Sequence, residues 1–182
     1  MITLRSARLE DAAAIAGIYN QGITERGATF ETQLRTVEDI TTRLAELDQY
    51  PLLVAADDAG MLLGWAGLSS YRPRDCYAGI GEFSVYLDAK ARGRGIGRQL
   101  LEGLVEVATQ RGYWKLVSRI FPFNTASLAL CRSVGFREVG RYEKHGQLDG
   151  RWLDVVIVER LIPSNLSALP TAAVAVSGGA SP

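Results

Sequence analysis

The chain has 182 residues, 47% of them apolar, with 20 basic and 20 acidic side chains and a formal charge of zero. That length predicts one domain with a sizeable buried core. The balanced charge leaves no overall basic footprint of a nucleic-acid or membrane-surface protein, and no apolar run approaches the roughly 18 residues of a membrane span.

In chain order, Ile2–Ala7 reads as an opening strand. Glu10–Ile23 reads as a helix with Ile15, Ile18, Tyr19 and Ile23 near one face and acids in its first turn. Arg26–Leu34 is a loop. Thr36-Val37-Glu38-Asp39 has the form of a capping box, opening a helix to about Asp48 before Pro51. Leu52–Ala56 and Leu62–Ser70 read as a hairpin. Tyr71–Ala78 is a loop, and Gly81–Leu87 a strand. Gly93–Gly97 is a glycine turn, followed by the amphipathic helix Arg98–Arg111. Trp114–Phe121 is a strand, and Thr125–Val134 a helix ended by Gly135. Glu138–Tyr142 and Trp152–Leu161 close the domain as strands. From Pro163 to Pro182 the chain has no acid or base and reads as a disordered tail. This order of elements predicts a mixed α/β sheet with helices on both faces.

Cys76 and Cys131 stand far apart and outside any CxxC pair. That argues against a disulfide framework or a zinc site and for reduced thiols. With His145 the only histidine, no metal site is expected. Met1–Arg8 lacks the apolar segment of a signal peptide, so the reading is a cytoplasmic protein.

The most informative segment is Glu82–Leu101, where a strand runs into Arg92-Gly93-Arg94-Gly95-Ile96-Gly97-Arg98 and then a helix. Glycines let backbone amides approach a ligand, and a helix N-terminus with three arginines adds positive charge. Together they suit a pyrophosphate. The GxxxxGK[ST] of a P-loop is absent, and GxGxG at mid-chain is a poor dinucleotide fingerprint. The plain alternative is a loop that merely turns the chain.

Arg92–Gly97 matches the [QR]-x-x-G-x-[GA] pattern of the GCN5-related N-acetyltransferases (GNAT). With Gly81–Leu87, Asn124-Thr125-Ala126-Ser127 and Val134-Gly135-Phe136, the chain resembles that family over about residues 1–162. The resemblance implies an acetyl-CoA-dependent N-acetyltransferase domain over 1–162. Its sheet would be mixed and mostly antiparallel, splayed between parallel strands to admit acetyl-CoA. It further implies that the backbone of Val85, Tyr86 and Leu87 pairs with the pantetheine arm. Amides of Arg92, Gly93, Arg94, Gly95, Ile96, Gly97 and Arg98 would hold the pyrophosphate, and Asn124 and Ser127 would line the cofactor side.

Ile18-Tyr19-Asn20, Glu25–Thr32, Glu82–Tyr86 and Gly150–Asp154 resemble the phosphinothricin and methionine sulfoximine acetyltransferases, nearest their arsinothricin-acetylating branch. The implied substrate is a glutamate-mimic amino acid, acetylated on its α-amine and so detoxified, and the implied assembly is a homodimer. Amine attack needs a base. Glu82 matches the family glutamate; the alternative is a solvated strand-edge carboxylate. Arg72 and then Arg74 are the expected cations for the substrate's anionic ends, because guanidinium matches planar oxyanions; the alternative is exposed surface arginines. Thr29 and Phe30 match the loop that covers the substrate, Phe30 being otherwise a core plug.

Cys131 stands five residues before Phe136, where relatives have a tyrosine or histidine. A thiol there could donate a proton, but a buried structural cysteine is the preferred reading. His145 does not match a family position and reads as structural. A protein acetyltransferase and a non-catalytic acyl-CoA sensor are the competing functions; the Arg72-Pro73-Arg74 loop argues against the first and Glu82 against the second.

Overall fold

A computed structural model of the chain describes residues 1–166. Seven strands form one sheet: β1 Thr3–Ser6, β2 Leu52–Ala56, β3 Leu62–Ser70, β4 Ile80–Leu87, β5 Lys115–Ile120, β6 Arg137–Leu148 and β7 Arg151–Leu161. Their order is β1-β2-β3-β4-β5-β7-β6, and every neighbouring pair is antiparallel except β4 with β5. Four helices cover it: α1 Ala12–Glu25, α2 Val37–Leu44, α3 Ile96–Gln110 and α4 Thr125–Ser133. The expected mixed, mostly antiparallel sheet with helices on both faces is the fold observed.

Period-two alternation decides which helix meets which face. On β2, Leu52, Val54 and Ala56 join Ile15, Ile18, Ile40 and Leu44 of α1 and α2. Leu53 and Ala55 point the other way, into a cluster with Leu100, Leu101 and Leu104 of α3 and Leu128 of α4. The three α3 leucines are fully buried, each contributing about 1.5–3 kcal/mol by burial.

Several boundaries shift from the sequence reading for local reasons. Leu9–Asp11 is a 3-10 turn, so α1 starts at Ala12. Asp11 takes two hydrogen bonds from the Arg5 guanidinium (2.7 and 2.8 Å) and one from the Arg8 amide at 2.8 Å. The α2 capping box forms as expected, Thr36 and Asp39 exchanging bonds of 2.8 and 3.1 Å, but the helix stops at Leu44 and turns follow. β6 is much longer than Glu138–Tyr142 and carries His145. It returns into β7 through Asp149-Gly150, both at positive φ (47° and 77°), a two-residue hairpin signal. The tail reading begins at Pro163, yet its first residues are folded. Pro163–Asn165 forms a 3-10 turn, and the Asn165 amide donates to the carbonyls of Thr109 and Tyr113 at 2.8 Å. Residues 167–182, the rest of that tail reading, lie outside the described residues.

Candidate active site

β4 and β5 pair through only three rungs: Ile80 with Lys115, Gly81 with Leu116 and Glu82 with Val117. Beyond Glu82, β4 continues along β3 to Leu87, and β5 continues along β7 to Ile120. The sheet therefore opens between them, and among the described residues the β5-side edge of Phe83–Leu87 has no strand partner. The opening widens into a cavity of about 470 Å³, within the range of small-molecule sites. Glu82, Val85 and Tyr86 line it, as do Thr29, Phe30, Asn124 and Ser127, so these predicted site residues are brought together.

Glu82 occupies the last paired rung, at the apex of the opening. Its side chain is 21% exposed and its Oε1 accepts from Arg119, from Nε at 3.1 Å and also from Nη2. The register explains the pair. Val117 is the rung partner of Glu82, and Arg119 lies two residues further along β5, hence on the same face. Arg119 was not singled out in the sequence, although its period-two spacing from Lys115 and Val117, which puts all three on one face of the strand, was the available signal.

The loop before α2 roofs the cavity, tied down at several points. Arg26 adopts positive φ (57°) and its guanidinium donates to the Ile23 and Glu31 carbonyls and to Asp149. The Asn20 side chain brackets Arg35, donating to its carbonyl at 2.9 Å and accepting from its amide at 2.8 Å. Asn124 caps α4 by accepting from the Ser127 amide, and donates its Nδ2 to the Gly27 carbonyl, both at 3.1 Å. Asn124 thus lines the cavity with both polar atoms of its amide occupied by the protein. Phe30 meets Phe121 edge-on at 4.9 Å. A Cβ on Gly146 would lie 2.8 Å from the Phe30 ring, so the loop seats directly on β6.

Tyr86 packs between Tyr19 (ring centroids 4.7 Å) and Trp65 (4.9 Å, stacked). Burial pushes its phenol well above the ordinary value, so it stays protonated and cannot serve as a base. After Leu87 the chain makes a 3-10 turn, Ala89–Ala91, and enters the glycine segment. Gly93 and Gly95 have φ of 74° and 77°, a region costly for other residues. A Cβ at either would meet nothing within 4 Å, so the loop presents bare backbone outward. The amide of Gln99 bonds the Gly95 carbonyl at 3.2 Å. The amides of Ile96, Gly97 and Arg98 precede that first turn and have no intrahelical acceptor. Arg94 and Arg98 are exposed beside them, Arg98 pairing with Glu102, while Arg92 pairs with Glu25 at 2.8 Å. This cradle fits a pyrophosphate, and the unpaired β4 edge fits an extended amide-bearing arm. Gly97 packs on Leu87 and Leu130; Leu130 also lines the cavity, which places cradle and cavity side by side.

Arg72 and Arg74 are not brought into the cavity wall. Both are exposed, and Arg72 lies over the Tyr71 ring at 5.3 Å. Their loop leaves β3 after Ser70, the partner of Gly81, so it starts beside Glu82. His145, read as structural, stands at the cavity edge against Tyr142 (5.1 Å). The β6 register shift between Tyr142 and Gly146 re-aims it, a bulge that alternation does not reveal. Cys131 lines the cavity and is buried, its thiol pushed up to about 12 by burial alone. Such a thiol neither forms a nucleophilic thiolate nor readily protonates a departing thiolate of ordinary pKa near 8.5, which supports the structural reading. Among the described residues, no group of three or more His, Cys, Asp or Glu is placed to hold a metal, and no helix is long and apolar enough to cross a membrane.

Comparison with known proteins agrees with this geometry. Residues 4–157 match the model of the acetyltransferase (GNAT) domain. The chain belongs to the GNAT acetyltransferase family. This GNAT domain is 36% identical over 171 residues to an L-methionine sulfoximine/L-methionine sulfone acetyltransferase of Pseudomonas aeruginosa, covering 91% of this chain and 98% of the relative. It is 37% identical over 172 residues to a phosphinothricin N-acetyltransferase of Alcaligenes faecalis, covering 92% and 86%. It also resembles the crystal structure of a GNAT phosphinothricin acetyltransferase from Sinorhizobium meliloti in complex with acetyl-CoA. There the TM-score is 0.86 at 32% identity, with 97% of each chain covered.

Proposed function

We propose that this GNAT enzyme transfers the acetyl group of acetyl-CoA to the α-amine of a glutamate-mimic amino acid of the phosphinothricin, methionine sulfoximine or arsinothricin kind. The observation that carries this reading is the position of Glu82, at the apex of the splayed strands and inside a cavity that also holds a guanidinium. The names of the two curated relatives support the substrate class.

In this reading the amides of Arg92–Arg98 hold the pyrophosphate and the free edge of Val85–Leu87 pairs with the pantetheine arm, which sets the thioester near Glu82. The thioester supplies the acetyl group. Glu82, directly or through one water, takes a proton from the substrate ammonium. The neutral nitrogen attacks the thioester carbonyl, the C–N bond forms and the C–S bond breaks. A backbone N–H near Val85 or Tyr86 faces the charge gathering on the carbonyl oxygen. The nitrogen's second proton passes to the departing sulfur, and the proton on Glu82 goes to solvent. Ser127 stands on the cofactor side, and Asn124 acts there by positioning. Thr29 and Phe30 cover the amino acid, and Arg72 and Arg74 serve at the mouth. Loss of the amine's charge would disarm a toxic glutamate mimic. A cytoplasmic homodimer belongs to the same proposal.

The test is CoA thiol release with arsinothricin, phosphinothricin, methionine sulfoximine, glutamate and a peptide with a free N-terminus. Turnover of the glutamate mimics without the peptide is expected. Turnover of the peptide alone makes the protein a peptide acetyltransferase and ends this reading.

A further inference from the structure

We infer that Arg119 receives an anionic group carried on the same molecule as the reacting amine, and that the zwitterionic substrate enters by splitting the Arg119–Glu82 ion pair. This rests on the amino-acid reading above.

Arg119 is the one Lys or Arg lining the cavity among the described residues. Two carboxylates line the same cavity. Glu31 already has a cation outside it, Arg35 at 2.8 Å, which leaves Arg119 to Glu82. A substrate anion in this cavity therefore has one guanidinium to meet. The Arg119 side chain is 48% exposed. It spends Nε and Nη2 on a single oxygen of Glu82, so its Nη1 edge remains to dock a second oxyanion.

The resting pair displays the charges of the substrate in reverse. An ammonium satisfies Glu82, and an anion satisfies Arg119. A zwitterion thus replaces one ion pair with two, and no charge in the cleft loses its partner. An amine without an anion leaves Arg119 competing for Glu82, which keeps the base occupied. An anion without an amine leaves the carboxylate uncompensated. The pair selects for molecules that carry both charges and withholds the base from those that do not, a device that works through the difference between substrates.

The experiment compares the enzyme with R119Q and R119K. Four probes are used: phosphinothricin, its α-carboxamide, methionine and butylamine, which carry respectively both anions, the distal one, the α-carboxylate and none. In R119Q the ratio of kcat/KM for phosphinothricin over butylamine is expected to fall at least tenfold. The fall should sit mainly in KM for phosphinothricin, with partial recovery in R119K. Phosphinothricin binding measured calorimetrically should weaken in parallel, while acetyl-CoA binding reports that the fold is intact. The singly charged probe whose kcat/KM drops in R119Q identifies which anion Arg119 holds. An unchanged ratio in folded R119Q and R119K overturns this inference alone. Wild-type turnover of none of the amino acids overturns the amino-acid reading and this inference with it.

Discussion

Asn124 reaches across the mouth of the cleft to donate its amide to the Gly27 carbonyl, 97 residues away in sequence, while its oxygen caps α4. One side chain therefore fixes both a helix start and the loop that carries Thr29 and Phe30. The two jobs separate by chemistry. N124D keeps the cap acceptor but has no donor for Gly27, whereas N124A loses both. N124A should cost about 1 kcal/mol of stability from the cap, read as a lower denaturation midpoint. N124D should keep the midpoint and raise KM for the amine severalfold, on the order of 1 kcal/mol for one lost hydrogen bond. Equal KM in N124D and wild type would show that the roof does not need this tether.

Glu82 stands apart from the glycine cradle, which dissociates its two expected effects. E82Q should lower turnover by roughly 10²–10⁴-fold, the usual contribution of a positioned base. Its affinity for acetyl-CoA, measured by titration calorimetry, should stay within about twofold, a loss below about 0.5 kcal/mol. A joint loss of both would assign Glu82 to donor binding.

The two cysteines should differ sharply toward an alkylating reagent. Cys76 is exposed, whereas Cys131 is buried with its thiol pushed up to about 12. At pH 8 iodoacetamide should label Cys76 in the folded protein and spare Cys131, which mass spectrometry of the digested chain reads directly. C131A should keep turnover and lose roughly 1 kcal/mol of stability, the cost of a small buried cavity. Loss of turnover without loss of stability would make the thiol a participant.

Asp11 is buried, and the Arg5 guanidinium together with the Arg8 amide holds its carboxyl below the usual range. A carboxylate depressed in the folded state stabilises the protein above its unfolded pKa, near 3.9. That stability is lost as pH falls through the folded value. Wild type should therefore lose stability below about pH 4. D11N removes this contribution and should show a flatter acid limb together with a loss of about 2 kcal/mol at neutral pH. Parallel acid limbs in the two proteins would remove Asp11 as the cause.

The sequence was most readable where local chemistry decides structure. The Thr36–Asp39 capping box, the α3 leucines and the glycine cradle each carry their signal within a few residues. The family pattern also pointed to Glu82, Thr29, Phe30, Asn124 and Ser127, all of which line the cavity. What stayed hidden depends on register or on a bulge. Arg119 joins the cavity wall only once Val117 is known to pair with Glu82. His145 faces the cleft only because β6 slips register near it. Arg72 and Arg74 have suitable chemistry but stand exposed outside the cavity wall, on a loop whose path residue types do not specify.

The three-rung contact between β4 and β5 has a consequence for how such a protein can change. The gap proposed to receive the donor is cut by the parting of two backbones, so no side chain has to be sacrificed to keep it open. The walls that would judge the amine come from three other places: the roof before α2, the outer half of β5 and the bulged stretch of β6. Replacement of those side chains can recut the acceptor's mould while the donor's seat stays as it is. A new amine specificity can therefore be acquired by a few substitutions on a scaffold whose acyl chemistry is already in place.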